Sequence, residues 1–385
     1  MKAVAAAAAF KRVATTTFTT TAALARTQRS FTSTAAVASS SHRRPSHPNP
    51  NSNKSNNFAV DKQPLYDYAV HRNVSIDPLP LFDFFAVPKA KPSYSLSHGA
   101  AGFAKRRKAL PSTVDMNMDL YNSNQVGEDA YFCRSDALGV ADGVGGWVNT
   151  AGANAAMYSR QLMHYAYQEL ERFDNVEDPC FYHYDQANPL SILQNSYEHM
   201  QRHNNVVGSA TACLALLRND ELRIANLGDC GISVIRRNHY VFRSEEQQHA
   251  FNFPYQLGTG SMDRPTDAQT FDLSVEKGDV IIVGSDGLFD NLYDREILAL
   301  VQQYLAQYTL QLGGQMRMLN FQPQKLAHAL ALRAKTVSED RRHIDSPFQT
   351  RAMHEGIYYQ GGKPDDISVL VAVVGDSEDS PDRRL

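Results

Sequence analysis

Hydrophobic and polar positions follow two different periods along the part of the chain after residue 98. Apolar residues that recur every three or four positions predict helices at residues 152–173, from 189 onward, 293–308 and 323–336. The second of these begins with Asn188 as its cap and Pro189 at its first position. Short runs of β-type residues predict strands at residues 130–133, 210–217, 222–227, 232–236, 240–243, 270–275, 279–285 and 366–374. Helices followed by strands and then helices indicate an α+β layered domain rather than alternating βαβ units.

Three of the apolar runs carry aspartates at one end. The runs 138–143 and 280–287 end on Asp-Gly, at Asp142 and Asp286, and the run that continues to 374 opens on Asp-Asp at Asp365. Aspartates at the ends of buried strands can converge at one edge of a sheet, where unpaired carboxylates are costly. Divalent cations bound by oxygen would offset that cost. Each Asp-Gly pair by itself is also a common turn, but the recurrence beside apolar strands favours a shared ligand set.

Further carboxylates lie close to these runs. Glu128 and Asp129 come directly before the predicted strand 130–133. Asp290 lies four residues after Asp286, so a helical turn between them would place both side chains on one face.

The charge of the chain is divided unevenly along its length. Residues 1–60 contain no Asp or Glu, and they hold eight of the 38 Lys and Arg residues. The remaining residues therefore carry 30 basic groups against all 41 acidic ones, a net charge of −11. An acidic body argues against nucleic acid as a partner, because a phosphate backbone requires a basic surface. It suits a protein that concentrates metal cations.

Cysteine usage and hydropathy exclude two further classes of protein. Cys133, Cys180, Cys213 and Cys230 are scattered without a Cys-x-x-Cys pair, which favours buried free thiols over a zinc site or a disulfide framework. No apolar run approaches the roughly 20 residues that span a bilayer, so no stable membrane insertion is expected.

The composition divides the chain into four segments. Residues 1–44 are basic and rich in Ala, Thr and Ser, which is typical of a mitochondrial transit segment and predicts a matrix location; a tail without an address is the alternative. Residues 45–97 are predicted to be a linker and a poorly ordered extension. Residues 98–375 form the predicted folded domain, and residues 376–385 form a polar tail.

Six short motifs occur in a fixed order within the predicted domain. They are GED at 127–129, VADGVGGW at 140–147, GSATA at 208–212, ANLGD at 225–229, GSDGLFDN at 284–291 and GKPDDI at 362–367. Together they resemble the PPM, or type 2C, family of metal-dependent protein serine/threonine phosphatases. The VGGW form of the second motif, with EQQH at 246–249 and the segment 361–367, resembles the mitochondrial branch of that family.

The resemblance implies a fold and a metal centre. The fold is a four-layer α-β-β-α sandwich with two central antiparallel sheets. Asp142 would bridge two Mn²⁺ or Mg²⁺ ions, with the carbonyl of Gly143 on one of them. Asp286 and Asp365 would complete the shell of one ion, and Asp366 is the less favoured member of its pair.

The remaining acids receive roles from the same resemblance. Glu128 and Asp129 would hold the ions directly or through water, and with Asp142 they form the expected catalytic group. Asp229 and Asp290 match residues that, with Asp286, hold a weaker third ion in some members. The implied reaction is hydrolysis of phosphoserine and phosphothreonine in protein substrates by water that the two ions activate. Such an arrangement suits one of the slowest uncatalysed reactions in biology.

Two positions depart from the family pattern. Val144 stands where many members have a histidine that is proposed as general acid, and Asn124 stands where many have a phosphate-binding arginine. The leaving-group proton would then come from water at the ions or from another group. His249 is a candidate donor, although a lone loop histidine is more often structural. The basic run 105–108 could contact phosphate or be a solvated charge cluster.

Alternatives to an active phosphatase remain open. A catalytically weak adaptor with the same fold would explain Val144 and Asn124, but it would have no reason to keep a costly carboxylate cluster. A two-metal nuclease is disfavoured by the acidic body. The segments 257–269 and 337–361 are polar loops that either select substrates or are passive. No feature of the sequence indicates an oligomeric state.

Overall fold

The computed structural model describes residues 93–105, 122–147, 150–174, 184–203, 206–312, 315–318 and 321–377. The predictions for residues 1–44, for most of 45–97 and for the end of the chain after 377 lie outside these ranges. The helices are α1 (Ala155–Glu171), α2 (Pro189–His203), α3 (Asp286–Phe289), α4 (Asp294–Tyr308), α5 (Pro323–Glu339) and α6 (Pro347–His354). The strands are β1 (Tyr94–Phe103), β2 (Asn124–Val126), β3 (Asp129–Cys133), β4 (Ala137–Ala141), β5 (Ser209–Ala210), β6 (Ala212–Arg218), β7 (Glu221–Leu227), β8 (Gly231–Arg236), β9 (His239–Arg243), β10 (Gln248–Ala250), β11 (Phe253–Pro254), β12 (Leu257–Gly258), β13 (Gln269–Ser274), β14 (Val280–Gly284), β15 (Thr309–Leu312), β16 (Gln315–Met318) and β17 (Ile367–Asp376).

Two antiparallel sheets form the centre of the described part of the chain. One sheet has the strand order β13-β7-β6-β4-β3-β2 and the other has the order β1-β17-β14-β8-β9. Apolar side chains from the inner faces of both sheets form one buried cluster, which includes Val140, Ile224, Ile232, Val283 and Leu370. Sheets that pack face to face in this way exclude water from both inner surfaces.

Helices cover the outer face of each sheet. Leu162 of α1 and Leu193 of α2 pack in one buried cluster with Leu214 of β6. On the other side α4 and α5 share a buried cluster with β14 and β17, to which Val301 and Leu330 belong. The order helix, sheet, sheet, helix confirms the four-layer sandwich that the family resemblance implied.

The periodicity located most elements within a few residues. Asn188 caps α2 as predicted, because its Oδ1 accepts a hydrogen bond from the backbone N–H of Leu190 at 2.9 Å. The turn between β8 and β9 places Arg237 and Asn238 at positive φ, 49° and 67°. Two successive residues of that kind give the turn that matches the twist of a hairpin.

Helix α6 and strand β1 are the longest elements that were not predicted, and the short strands β2, β10, β11, β12, β15 and β16 were not predicted either. Helix α6 lies within the segment 337–361, which was expected to be a loop, and it begins where the Ser346 side chain accepts a hydrogen bond from the N–H of Gln349. Strand β1 begins at Tyr94, before the expected domain start at 98, and it pairs with β17 along its whole length. Its mixed small and polar residues hide the strand period, since a neighbouring strand rather than its own pattern holds it in place.

The structure describes three of the four cysteines, and the prediction for Cys180 lies outside the described residues. Cys133, Cys213 and Cys230 are free cysteines, and the latter two are buried. No helix in the described ranges combines the length and the apolar character that crossing a bilayer requires.

Candidate metal centre

The register of the two sheets brings the predicted acidic segments to one edge. Ala130 of β3 pairs with Ala141 of β4, so the adjoining Asp129 and Asp142 are neighbours at the open end of that hairpin. In the other sheet, β14 ends where β17 and β8 begin: Gly284 pairs with both Val369 and Gly231. The segments that carry Asp286, Asp365 and Asp229 directly adjoin these ends.

The carboxylates at this edge lie close enough to repel one another. Burial raises the pKa of Asp142 well above its usual value, and the charges of Asp286, Asp129, Asp365 and Asp229 raise it further. A carboxylate becomes harder to ionise when it leaves water and approaches other negative charges. Sequence positions that are more than 200 residues apart therefore form one electrostatic group.

Two buried carboxylate oxygens in this group have no hydrogen-bond partner among the described residues. Asp129 is fully buried, and its Oδ2 accepts a hydrogen bond from the Ser285 hydroxyl at 2.7 Å. Its other oxygen, Oδ1, is unpaired, and so is Oδ1 of Asp286. Burial raises the pKa of Asp129 well above the ordinary range, and the charges of Asp366 and Asp286 add to the effect. An unpaired buried carboxylate oxygen is costly unless a cation meets it.

A lysine that the sequence analysis did not assign points into the cluster. The ammonium of Lys363 lies 2.5 Å from Oδ2 of Asp286, 2.6 Å from Oδ2 of Asp290 and 3.4 Å from Oδ2 of Asp365. Burial opposes the charge of Lys363, but these carboxylates outweigh it and hold its pKa well above the usual value. Asp286 and Asp290 thus lie on one face, as their four-residue spacing predicted, and both contact the Lys363 ammonium.

Asp290 and Asp229 lie on the same side of the cluster. Asp290 is almost fully buried, and its second oxygen forms an ion pair with Arg351. Burial raises the pKa of Asp229 well above its usual value, and the nearby charge of Asp286 adds to this while Lys363 opposes it. The carboxylates expected to hold a third ion therefore already face cationic side chains.

The two members of the Asp-Asp pair have different surroundings. Asp366 is 2% exposed, and its two oxygens accept hydrogen bonds from the backbone N–H groups of Lys105 at 2.7 Å and Glu128 at 2.9 Å. Asp365 instead forms an ion pair with the Lys105 ammonium at 3.2 Å. Asp366 thereby joins the segment after β1 to the start of β3. Its charge acts on Asp129, whereas the charge of Asp365 acts on Asp142.

Glu128 and Gly143 are held together by the backbone. The N–H of Gly143 donates to the carbonyl of Glu128 at 3.1 Å, and the Ser159 hydroxyl donates to the same carbonyl at 2.5 Å. A Cβ at position 143 would lie 2.5 Å from that carbonyl oxygen and 2.8 Å from the carbonyl oxygen of Ala155. Only glycine allows this close approach beside Asp142.

The donor set fits a hard divalent cation by its chemistry. Carboxylate oxygens converge in a buried place, two of them are unpaired, and hard oxygen ligands favour Mg²⁺ or Mn²⁺ over zinc. Within the described ranges, no three acidic, histidine or cysteine side chains already stand as a complete metal-binding group. Three of the carboxylates instead contact the Lys363 ammonium.

His249, the candidate general acid, makes contacts that stabilise the local fold. Nε2 of His249 lies 3.0 Å from Oδ1 of Asp263, and its ring stacks on Tyr255 with 3.9 Å between centroids. These contacts tie the strand β10 to the following loop. In the described ranges, none of the contacts of His249 joins it to the aspartate cluster.

Sequence reasoning missed three contributors to the site. Lys363 lay inside a quoted motif, but nothing in a single lysine between glycine and proline indicates a buried ammonium. Ser285 precedes the aspartate that attracted attention, and Arg351 lies in the unpredicted helix α6. The available signal was the excess of carboxylates, which requires cations from somewhere in the chain.

Comparison with known proteins identifies what the site resembles. A sequence profile of the family described as "Protein phosphatase 2C" matches residues 120–331. The chain is 40% identical over 256 residues to probable protein phosphatase 2C 55 of Arabidopsis thaliana, a match that covers 66% of this chain and 49% of that relative. It is 36% identical over 303 residues to the human protein phosphatase PTC7 homolog, covering 74% of this chain and 89% of that protein.

A solved structure of another phosphatase is also similar to this chain. The structure of the photosystem II phosphatase PBCP is similar with a TM-score of 0.56 and 30% sequence identity, over 73% of this chain and 99% of that one. The chain spans about half the length of the Arabidopsis relative, at 49%, and most of the human one, at 89%. The predicted resemblance is thus confirmed by sequence and by fold, and the chain belongs to the protein phosphatase 2C family of serine/threonine protein phosphatases.

Proposed function

We propose that this chain hydrolyses phosphoserine and phosphothreonine in proteins, with two Mn²⁺ or Mg²⁺ ions at the aspartate cluster. The single observation that carries the proposal is that the sheet register brings the segments of Asp129, Asp142, Asp229 and Asp286 to one edge, where their charges act on one another. Family membership supports the reaction class. The carboxylates at this edge would repel a phosphate anion, so a phosphorylated substrate could bind there only if cations neutralise them.

The proposed roles follow the surroundings of each residue. Asp142 and the carbonyl of Gly143 would hold the ions, together with Asp286 and Asp365. When bound, a pair of divalent ions supplies an activated water and neutralises charge on the phosphoryl group. Glu128 and Asp129 would complete the site directly or through water.

Two of the chain's own residues position the acids of the site. Ser285 holds one oxygen of Asp129, which leaves Oδ1 of that carboxylate available. Asp366 fixes the backbone N–H of Glu128 and so orients the segment that carries both acids. Val144 has no proton to donate, so the leaving oxygen receives its proton from solvent or from a group other than this side chain.

The decisive experiment is hydrolysis of p-nitrophenyl phosphate and of phosphoserine and phosphothreonine peptides with and without Mn²⁺. We expect a rate that requires the metal and is lost in Asp142→Asn. Asp272→Asn is the matched control, because Asp272 is exposed on β13 and its substitution removes one carboxylate outside the cluster. Rates that are equal in both conditions, or equal in wild type and Asp142→Asn, would refute the proposal.

A non-catalytic adaptor is the second candidate, and Val144 and Asn124 are the observations that favour it. An adaptor would bind phosphoprotein partners with the same fold and would show no metal-dependent turnover. The same assay separates the two, provided that binding to a phosphopeptide is measured in parallel. Tight binding without turnover in Mn²⁺ would favour the adaptor.

We further propose that the substrates are mitochondrial matrix proteins. The support is the basic, acid-free segment 1–44, which has the composition that import requires. Expression of the full chain and of a form without residues 1–44, each fused to a fluorescent protein at the C-terminus, tests this. Equal cytosolic distribution of the two forms would contradict the proposal.

A further inference from the structure

The Lys363 side chain is matched to the carboxylates around it. An ammonium group has three N–H donors, and that of Lys363 meets oxygens of Asp286, Asp290 and Asp365 at 2.5, 2.6 and 3.4 Å. The lysine side chain is only 14% exposed. Buried lysines are rare unless they are paired, so three carboxylate contacts explain why this one is tolerated.

The backbone of Lys363 is clamped by one buried side chain. Its N–H donates to Oδ1 of Asn291 at 2.9 Å, and its carbonyl accepts from Nδ2 of Asn291 at 3.0 Å. Nδ2 of Asn291 also donates to the carbonyl of Gly287 at 2.9 Å, and Asn291 is fully buried. The same amide therefore connects Lys363 to the turn that carries Asp286 and Asp290. A lysine whose backbone is held in this way, beside the turn that carries two of its carboxylate partners, is a built component of the site.

A second cation completes the surroundings of Asp290. Arg351 forms an ion pair with Oδ1 of Asp290 and another with Oε1 of Glu246 at 2.6 Å. Both oxygens of Asp290 are therefore met by charged groups of the chain itself. The Lys363 ammonium also lies 5.0 Å from the ring centre of Phe348, on the same helix as Arg351.

We propose that Lys363, assisted by Arg351, is a permanent internal cation that replaces a third divalent ion between Asp229, Asp286 and Asp290. An ammonium at 2.5–2.6 Å from Oδ2 of Asp286 and Oδ2 of Asp290 excludes a metal ion from the space between these two oxygens, by sterics and by charge repulsion, and it leaves Oδ1 of Asp286 for an ion on the Asp142 side. The chain would then bind divalent ions on the Asp142 side of the cluster alone. This inference rests on the same site as the proposed function, but it predicts an ion count rather than a reaction.

The test compares bound Mn²⁺ per chain in wild type and Lys363→Met, with free Mn²⁺ followed by electron paramagnetic resonance. Methionine keeps much of the length of the side chain and removes its charge. We expect one additional, weakly bound ion in Lys363→Met, and loss of that ion when Asp290→Asn is added. Because the readout is a difference between two proteins, it is independent of whether either protein hydrolyses a phosphoester.

Lys105→Met is the matched control. It removes another ammonium from Asp365, at 3.2 Å, but no contact with Asp286 or Asp290. We expect no additional ion in this variant. An equal gain of one ion in Lys105→Met and Lys363→Met would overturn the proposal, because it would reflect net charge alone.

Two other outcomes would also overturn it. One is an unchanged ion count in folded Lys363→Met. The other is a wild-type count that falls by one in Asp290→Asn, since this would place an ion at Asp290 in the native chain. If Lys363→Met does not fold, the comparison of wild type with Asp290→Asn decides, and equal counts support the proposal.

Discussion

The hydroxyl of Ser285 donates a hydrogen bond to Asp129, with 2.7 Å between Oγ and Oδ2. Ser285 follows β14 in one sheet, and Asp129 opens β3 in the other. The same Ser285 oxygen accepts a hydrogen bond from the N–H of Ser368 in β17 at 3.1 Å. A single hydroxyl thus links the two layers at the edge where the carboxylates meet.

Ser285→Ala is expected to destabilise the metal-free protein. It leaves the buried Oδ2 of Asp129 without its donor, and the loss of one partner of a buried hydrogen bond costs about 1–3 kcal/mol. Urea unfolding measures the difference. Ser196→Ala is the control, because Ser196 is also buried but its hydroxyl donates to the Ile192 carbonyl in its own helix. Equal stabilities of Ser285→Ala and wild type would show that the link contributes nothing.

Gly127→Ala should disrupt the segment before β3. Gly127 has φ of 66°, and a Cβ there would overlap the carboxylate of Asp366. Asp366 would have to move away from the backbone N–H groups that donate to it. Overpacking of this kind costs typically about 1–3 kcal/mol beyond the backbone strain.

Gly152→Ala separates the clash at Gly127 from the strain. Gly152 also has positive φ, 78°, but no atom lies within 4 Å of the place that its Cβ would take. Its substitution should cost only the left-handed conformation, roughly 1–2 kcal/mol. Denaturant unfolding of both variants gives the comparison, and a larger loss in Gly152→Ala would contradict the assigned role of Asp366.

Divalent metal is expected to raise the thermal stability of the wild-type chain. A ligand that binds the folded state alone stabilises it by about 2.7 kcal/mol at about 100 times its dissociation constant. Asp142→Asn should abolish most of the increase in Tm on addition of Mn²⁺, and EDTA should reverse it. Differential scanning fluorimetry at fixed ionic strength measures the effect. A Tm increase that Asp142→Asn retains in full would place the ions elsewhere.

His164 is expected to make the fold sensitive to mild acid. Burial lowers the pKa of His164, and the charges of Arg160 and His199 lower it further. The folded state therefore favours the neutral ring, and its contribution to stability is complete above the unfolded pKa of about 6.5. That contribution is lost as the pH falls through the lowered pKa of the folded state.

The measurement is the free energy of unfolding between about pH 7 and pH 5, the range in which an ordinary histidine titrates. His164→Phe keeps a ring at this position but cannot bind a proton, so its stability should fall less steeply with acid than that of wild type. His239→Gln, at the exposed start of β9, should leave the slope unchanged. If the free energy of unfolding of His164→Phe falls with acid as steeply as that of wild type, the acid sensitivity belongs to other groups.

Local sequence was sufficient to predict an element when the element has its own periodic apolar stripe or its own capping residue. The stripe on α1 and the Asn188 cap of α2 are local signals, and the structure has both helices at the expected places. Strand β1 and helix α6 were missed because their sequences are not strongly periodic. Pairing with β17 holds β1, and the Ser346 cap begins α6.

Sequence alone determined the family, the layered fold and the acids of the proposed centre. Strand ends, Asp-Gly pairs and the order of the motifs can be recognised from short stretches of neighbouring residues. Tertiary structure decided which charges meet. It placed Lys363 among Asp286, Asp290 and Asp365, bound Asp366 to backbone N–H groups, and joined Ser285 to Asp129. Those partners depend on the packing of two sheets at one edge, and electrostatic energy depends on distance in space rather than on separation along the chain.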